Sequence, residues 1–355
     1  MTDETFLQSI INRIPTLDAA WNERAWARLD SLTKPPRSLG LLEDLAQRVA
    51  VLQRTETPAI PRKAIVLMAG DHGVTAQGVS PYPSEVTVQM VANIAAGGAA
   101  INQLARHAGA QVVLVDVGVK CDLLSTDNVV QARVANGTAD MTEGPAMTCE
   151  QTLAALRVGI EQVAALAESG LDIVGTGDMG IGNTTPSAAI TSVLTGVDPS
   201  DVVGPGTGLD PAGVIHKAEV VRRAIAVNTP DPLDALDVLT RVGGLEIAGI
   251  AGVVLGAAAL GIPVVSDGYI SGAAALVALR MAPAIKPWLF VSHRSAEPGH
   301  TVVLEALGMR PVLDLDMRLG EGTGAALAME IMDAACGVMS NMATFAQAGV
   351  SERED

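Results

Sequence analysis

Six short apolar runs recur along this chain, at 64–69, 111–119, 171–174, 262–266, 287–292 and 311–315, each opening into a polar or glycine-rich loop. Between them lie stretches of helical spacing. Runs that are apolar throughout, rather than alternating with polar residues, are strands buried on both faces, and a parallel strand needs a crossover helix. That pattern constrains the chain to an α/β fold, a parallel sheet flanked by helices.

The first 60 residues read as a helical preface. Phe6, Ile10, Ile14, Leu17 and Trp21 keep helical spacing, broken at Pro15, while Pro35 and Pro36 make 32–40 irregular. Helices are expected at 41–52, 85–94, 99–108 and 152–167. Another starts at Pro186 with Thr184 or Thr185 as cap, and one further on carries Lys217. Residues 120–148 read as irregular. The apolar segment 245–265 contains Glu246 and Pro263, which makes it a buried helix followed by a strand rather than a membrane span.

Charge and cysteine usage exclude several functions. A formal charge of −16 argues against nucleic acid and anionic membranes, both of which need a basic footprint. Cys121, Cys149 and Cys336 form no paired motif, which fits reduced thiols in a cytoplasmic protein and gives no zinc site. The acidic start, MTDETFLQSI, has no basic region before an apolar run, so no secretory leader is expected. With only 3 Trp, 3 Phe and 2 Tyr, a planar ligand would be sandwiched mainly by aliphatic side chains.

Three glycine-rich loops, 175–185, 204–208 and 320–324, carry the chemistry. Glycines let backbone N–H groups approach an anion, and a following helix adds its positive end. With Asn183, Thr184, Thr185 and Lys217 available, a phosphate ester is the natural guest. In the third loop one carboxylate, Glu321, stands between two glycines, where it serves either as a helix cap or as a group aimed at a substrate. Gly175-Thr-Gly-Asp-Met-Gly180 matches a dinucleotide fingerprint, but the loop runs on for five more residues and Asp198 is the only suitably spaced acid. A dehydrogenase reading is therefore not favoured. Neither GxxxxGK[ST] nor GxSxG is present. Asp71, His72, His293 and His300 could be imagined around a metal, but lack metal-ligand spacing and read better as hydrogen-bonded loop residues; no metal or cofactor is expected.

Seven segments together resemble a known family: LTKPPRSLGLLEDLA at 32–46, the run from AGDHGVTAQGVSPYPSEVTVQM at 69–90 through 106, GDMGIGNTTPSAA at 177–189, GPGTGLD at 204–210, VGGLEIAG at 242–249, SHRSAEPGH at 292–300 and LDLDMRLGEGTGAALA at 313–328. The chain is similar to nicotinate-nucleotide:dimethylbenzimidazole phosphoribosyltransferases over roughly residues 30–335. The resemblance implies a Rossmann-like parallel sheet in an α/β domain over 61–328, with a small helical domain built from 1–60 and 329–355, assembled as a homodimer. It also implies a reaction: 5-phosphoribose passes from nicotinate mononucleotide to 5,6-dimethylbenzimidazole, giving α-ribazole phosphate and nicotinate in cobalamin synthesis.

Carried over by motif, Glu321 would be the general base. Ser80, Tyr82, Gln89, Met90 and Leu319 would line the benzimidazole pocket. Asp178, Gly180, Ile181, Gly182, Asn183, Thr184, Thr185, Gly206, Thr207, Gly208, Lys217, Ser295 and Gly320 would hold the phosphoribosyl side. Three positions depart from the family's usual pattern: Asp178 where glutamate is common, Pro205 in place of arginine, and Arg37 in place of glycine. Two other readings stand beside the transferase. One is a relative that binds nucleotide or benzimidazole without transfer, against which the intact GEGTG argues. The other is an NAD-linked oxidoreductase using the 175–180 loop.

Overall fold

A computed structural model describes residues 2–121 and 128–351. The central sheet has six parallel strands: β1 (Lys63–Gly70), β2 (Ala110–Gly118), β3 (Val129–Gln131), β4 (Ile173–Met179), β5 (Val264–Ser266) and β6 (Leu289–Val291). Their spatial order is β3-β2-β1-β4-β5-β6, the doubly wound arrangement. The order reverses between β1 and β4, so a crevice opens beyond the carboxyl ends of those two strands.

Strand β1 explains why both faces must be covered. Ile65, Leu67 and Ala69 enter one apolar core, while Val66 and Met68 enter the other. Successive side chains of a strand point to opposite faces, so an all-apolar strand needs helices on both. One layer contains Leu41–Gln53, Glu85–Ala95, Ala100–Ala108 and Thr323–Asn341. The other contains Cys149–Glu168, Thr184–Thr195, Pro211–Asn228, Leu245–Ala259 and Tyr269–Met281. Every residue of Leu245–Ala259 is buried, and a Cβ at Gly252 would collide with the backbone of Leu156 in Cys149–Glu168. That close helix contact accounts for the apolar segment. Among the described residues no helix is long and apolar enough to cross a membrane.

Chain segments from the two ends meet. Leu32 bridges Thr344, and Arg28 donates to the carbonyls of Met339 and Met342 at 3.1 Å each. The first helix, Asp3–Ile11, lies instead against Cys149–Glu168 on the opposite layer. Arg37 has φ +62°, the left-handed region in which glycine is unstrained. Its guanidinium stacks over Trp26 at 3.2 Å from the ring centroid, a contact that offsets part of the backbone cost.

Four expectations are corrected. The segment 311–315 is not a buried strand. Only Leu313–Asp314 (β8) is extended, pairing with His293–Arg294 (β7) in a separate two-stranded sheet, and Leu315 is exposed. Within 120–148, residues 129–131 form the edge strand β3, while 122–127 fall outside the described residues. Helix Thr184–Thr195 starts with Asn183 as its cap residue, not Thr184 or Thr185. Finally, β4 runs through to Met179, so Gly175 and Gly177 are strand residues, not loop.

Candidate active site

The crevice at the strand reversal is walled by the loops after β1 and β4, the 204–208 loop and the turn before Thr323–Asn341. It encloses a cavity of about 290 Å³. Of the residues expected from sequence, Ser80, Tyr82, Asp178, Gly182, Asn183, Thr184, Gly206, Thr207, Ser295, Leu319 and Gly320 lie on its wall. Ser80 and Thr207 join across it, Oγ to Oγ1 at 3.0 Å.

The other expected residues stand behind or beside that wall. Lys217 is 1% exposed and donates from Nζ to Thr184 Oγ1 at 2.6 Å. Ile181 donates its N–H to Thr87 Oγ1 at 3.1 Å, which fixes the start of the loop, and Thr185 is buried. Gly180 packs so closely on the Gly70 carbonyl that a Cβ would collide with it. Gly208 donates to the Pro205 carbonyl at 2.9 Å, shaping its own turn. Gln89 and Met90 sit on Glu85–Ala95, with Gln89 exposed, and neither reaches the cavity wall.

Glu321 adjoins the wall at Gly320. Gly320, Glu321 and Gly322 all have positive φ (+81°, +62° and +88°). Glycine adopts that region freely, whereas glutamate there is strained, a feature that clusters at functional sites. The strained turn is held from two sides. Glu321 donates its N–H to the Asp178 carbonyl at 3.2 Å. Asp267 accepts from Gly322 at 3.0 Å through Oδ2, and from Gly324 at 2.7 Å and Ala325 at 3.0 Å through Oδ1. Strand β4 must make room for this turn, and a Cβ at Gly177 would lie 2.6 Å from the Glu321 carbonyl oxygen. Packing against the turn is the physical reason for Gly177, while Gly175 is crowded by Ala325 and Met329 of the helix that follows the turn; with both in the strand, the dinucleotide-loop reading falls.

Burial dominates the electrostatics. Glu321 is 4% exposed, and burial raises its pKa. The Ile101 N–H, 3.4 Å from Oε2 at the start of Ala100–Ala108, opposes that rise, and the charge of Asp267 adds to it. Asp178 is pushed well above the usual carboxyl range by burial and then by Asp267, against the Asn183 amide that donates to its Oδ2 at 2.8 Å. Burial also lowers Lys217 to about 8, with Glu297 pulling the other way. Glu297 accepts from Gly206 N–H at 2.9 Å, and Arg318 donates to the Gly206 carbonyl at 2.7 Å. A guanidinium thus reaches the loop in which Pro205 stands where the family commonly has arginine.

Two of the loop histidines are held by hydrogen bonds. His72 pairs with Glu246 at 2.7 Å, both fully buried, and His300 Nδ1 accepts from Ser295 N–H at 2.9 Å. Among the described residues no three His, Cys, Asp or Glu side chains gather so as to hold a metal ion. Sequence reasoning did not place Asp267, Glu297 and Arg318 in the site, and weighed His293 only as a metal ligand. His293, Glu297 and Arg318 fall inside family-like segments, while Asp267 had only its place at the end of a strand as a signal.

A cavity walled by glycine-rich loops, with a buried carboxyl of raised pKa at its edge, is the arrangement of an enzyme active site. A phosphoribosyltransferase family model matches residues 14–350. A relative from Chloroflexus aggregans, named nicotinate-nucleotide–dimethylbenzimidazole phosphoribosyltransferase, is 51% identical over 351 residues and covers 99% of each chain. A relative of the same name from Geobacter metallireducens is 48% identical over 351 residues, again covering 99% of each. The crystal structure of CobT from Thermus thermophilus matches with a TM-score of 0.91 and 47% identity, over 94% of this chain and 100% of that one. The chain belongs to the nicotinate-nucleotide–dimethylbenzimidazole phosphoribosyltransferase family.

Proposed function

We propose that the protein transfers 5-phosphoribose from nicotinate mononucleotide to 5,6-dimethylbenzimidazole, yielding α-ribazole 5′-phosphate and nicotinate for the nucleotide loop of cobalamin. The observation that carries this reading is Glu321: a buried carboxyl with a raised pKa, fixed in a strained turn at the cavity edge.

Nicotinate in its nucleotide is a pyridinium, so it leaves as a neutral ring nitrogen without a strong acid. The C1′–N bond breaks as one benzimidazole nitrogen bonds to C1′, through an oxocarbenium-like transition state. Attack on the face opposite the leaving group turns the β linkage into α. The second benzimidazole nitrogen loses its proton to the Glu321 carboxylate. A base whose pKa lies nearer the working pH than a free carboxylate's is better matched to that task. Lys217, Thr184 and the 180–183 loop form the phosphate side, while Ser80, Tyr82 and Leu319 border the acceptor side.

Mixing purified protein with nicotinate mononucleotide and dimethylbenzimidazole tests the reading. Release of nicotinate with formation of α-ribazole phosphate is expected; its absence while both ligands are bound overturns it. The reading includes a homodimer, supported by the family resemblance, which sedimentation would check.

A further inference from the structure

The cavity wall carries three polar atoms, on side chains at most 5% exposed, that lack a hydrogen-bond partner among the described residues: Asp178 Oδ1, His293 Nε2 and Glu297 Oε2. For His293 the neighbours also favour one tautomer. Ser292 Oγ donates its single proton to the Asp267 carbonyl at 2.8 Å. Towards His293 Nδ1, 3.0 Å away, the same oxygen can therefore only accept. Asp267 Oδ1, 4.0 Å from Nδ1, favours a hydrogen on that same nitrogen, which leaves Nε2 as the ring's acceptor. The ring is 1% exposed. A buried acceptor left without a donor is costly, so such an atom on a cavity wall marks where a ligand donor belongs. Its place is built in, since a Cβ at Gly324 would collide with Nδ1, and one at Gly268 would lie 3.3 Å from Cε1.

The geometry points to a ribose hydroxyl as that donor: His293 Nε2 accepts a hydrogen bond from the diol of the phosphoribosyl group. This rests on the phosphoribosyl reading above and names the contact that recognises the sugar. Elimination supports it. The phosphate dianion and the nicotinate carboxylate offer only acceptors, and the benzimidazole N–H is directed to Glu321. The ribose hydroxyls are the donors that remain. A hydroxyl that donates to a base keeps its oxygen electron-rich, which favours the oxocarbenium-like transition state. Hydrogen bonds to a sugar hydroxyl that strengthen in that state are a recurring device in glycosyl chemistry.

Calorimetric titration with ribose 5-phosphate, 2-deoxyribose 5-phosphate and 3-deoxyribose 5-phosphate tests this without relying on turnover. His293→Asn keeps an N–H toward Ser292 but removes the acceptor, while His293→Gln can return an oxygen near the Nε2 position. Wild-type protein is expected to prefer ribose 5-phosphate over one of the two deoxy sugars by roughly tenfold. That preference should shrink to within about twofold in His293→Asn and recover in part in His293→Gln. Undiminished preference in His293→Asn, or none in the wild type, overturns the inference. If wild-type protein binds nicotinate mononucleotide but none of the three sugar phosphates, the inference is overturned while the phosphoribosyl reading stands; binding of neither removes both.

Discussion

Asp267 anchors the turn that presents Glu321. Its two carboxyl oxygens accept the N–H groups of Gly322, Gly324 and Ala325, directly after the proposed base, and its charge helps to raise the Glu321 pKa. One acid, itself 0% exposed, thus both positions and tunes another.

Asp267→Asn separates these roles from mere packing. The amide nitrogen cannot accept, so at least one backbone N–H loses its partner and the turn loosens. We expect kcat to fall on the order of 10²-fold, with KM for the nucleotide little changed. The sign of the pH effect follows from the charge. Glu321 works as a carboxylate, so activity is lost as pH falls through its raised pKa. Removing the Asp267 charge lowers that pKa, and the acid limb of the rate profile should move to lower pH. A limb that stays in place contradicts the tuning role.

Gly177→Ala tests the contact between strand and turn. The added Cβ would meet the Glu321 backbone carbonyl oxygen at 2.6 Å, which no side-chain rotation relieves, so the turn itself must shift. A displacement of the base by a fraction of an ångström to an ångström should cost on the order of 10²-fold in kcat. Steady-state kinetics alongside a thermal melt would check it. A folded variant with wild-type kcat would show that the turn tolerates the shift.

How far the sequence disclosed all this can be argued from particular residues. Helices 41–52 and 85–94 were legible because their apolar positions repeat at helical spacing; Leu45, Ala46, Val49 and Ala50 form one buried stripe. Burial of 245–259 was legible from composition. The extent of β4 was not, because Gly175 and Gly177 read as loop formers until a helix start is seen packed against them. Nor was the early start of Cys149–Glu168, although Thr148 and Gln151 make a capping box there. The apolar run at 311–315 misled because apolarity does not say whether a sheet edge is free to receive a strand. Glu321 was legible as a candidate, but its burial, which outweighs the Ile101 N–H and raises its pKa, needed coordinates. Asp267 acts through backbone groups distant in sequence, a relationship no local pattern encodes.

Lys217 gives a prediction on the basic side. Its pKa of about 8 means that the ammonium is lost as pH rises through that value in the unliganded protein. Affinity for nicotinate mononucleotide should therefore weaken above about pH 8, whereas Lys217→Met should bind weakly at every pH. Titrations between pH 6.5 and 9.5 would decide this; a flat wild-type affinity would exclude Lys217 as the phosphate's cation.

The His72–Glu246 pair predicts a stability effect. Burial works against a charged His72, but Glu246 at 2.7 Å and the nearby Asp71 outweigh it, so its pKa is raised. A raised histidine contributes fully below its unfolded value of about 6.5, and that contribution fades as pH rises through the folded value. Glu246→Gln should destabilise by about 3–5 kcal/mol in urea unfolding at pH 6, because a buried partner is left uncompensated. The deficit should narrow toward pH 9. A deficit independent of pH would mean that the histidine is neutral throughout.

The most direct test is single-turnover release of nicotinate by Glu321→Gln, which keeps the side chain's size and removes the base. Nucleotide binding should be nearly unchanged while the transfer rate drops by about 10²–10⁴. The wild-type acid limb should lie above the ordinary glutamate value of about 4.3 and be missing from the variant. A Glu321→Gln enzyme that transfers at the wild-type rate with an unaltered pH profile would contradict the assignment of Glu321 as the base.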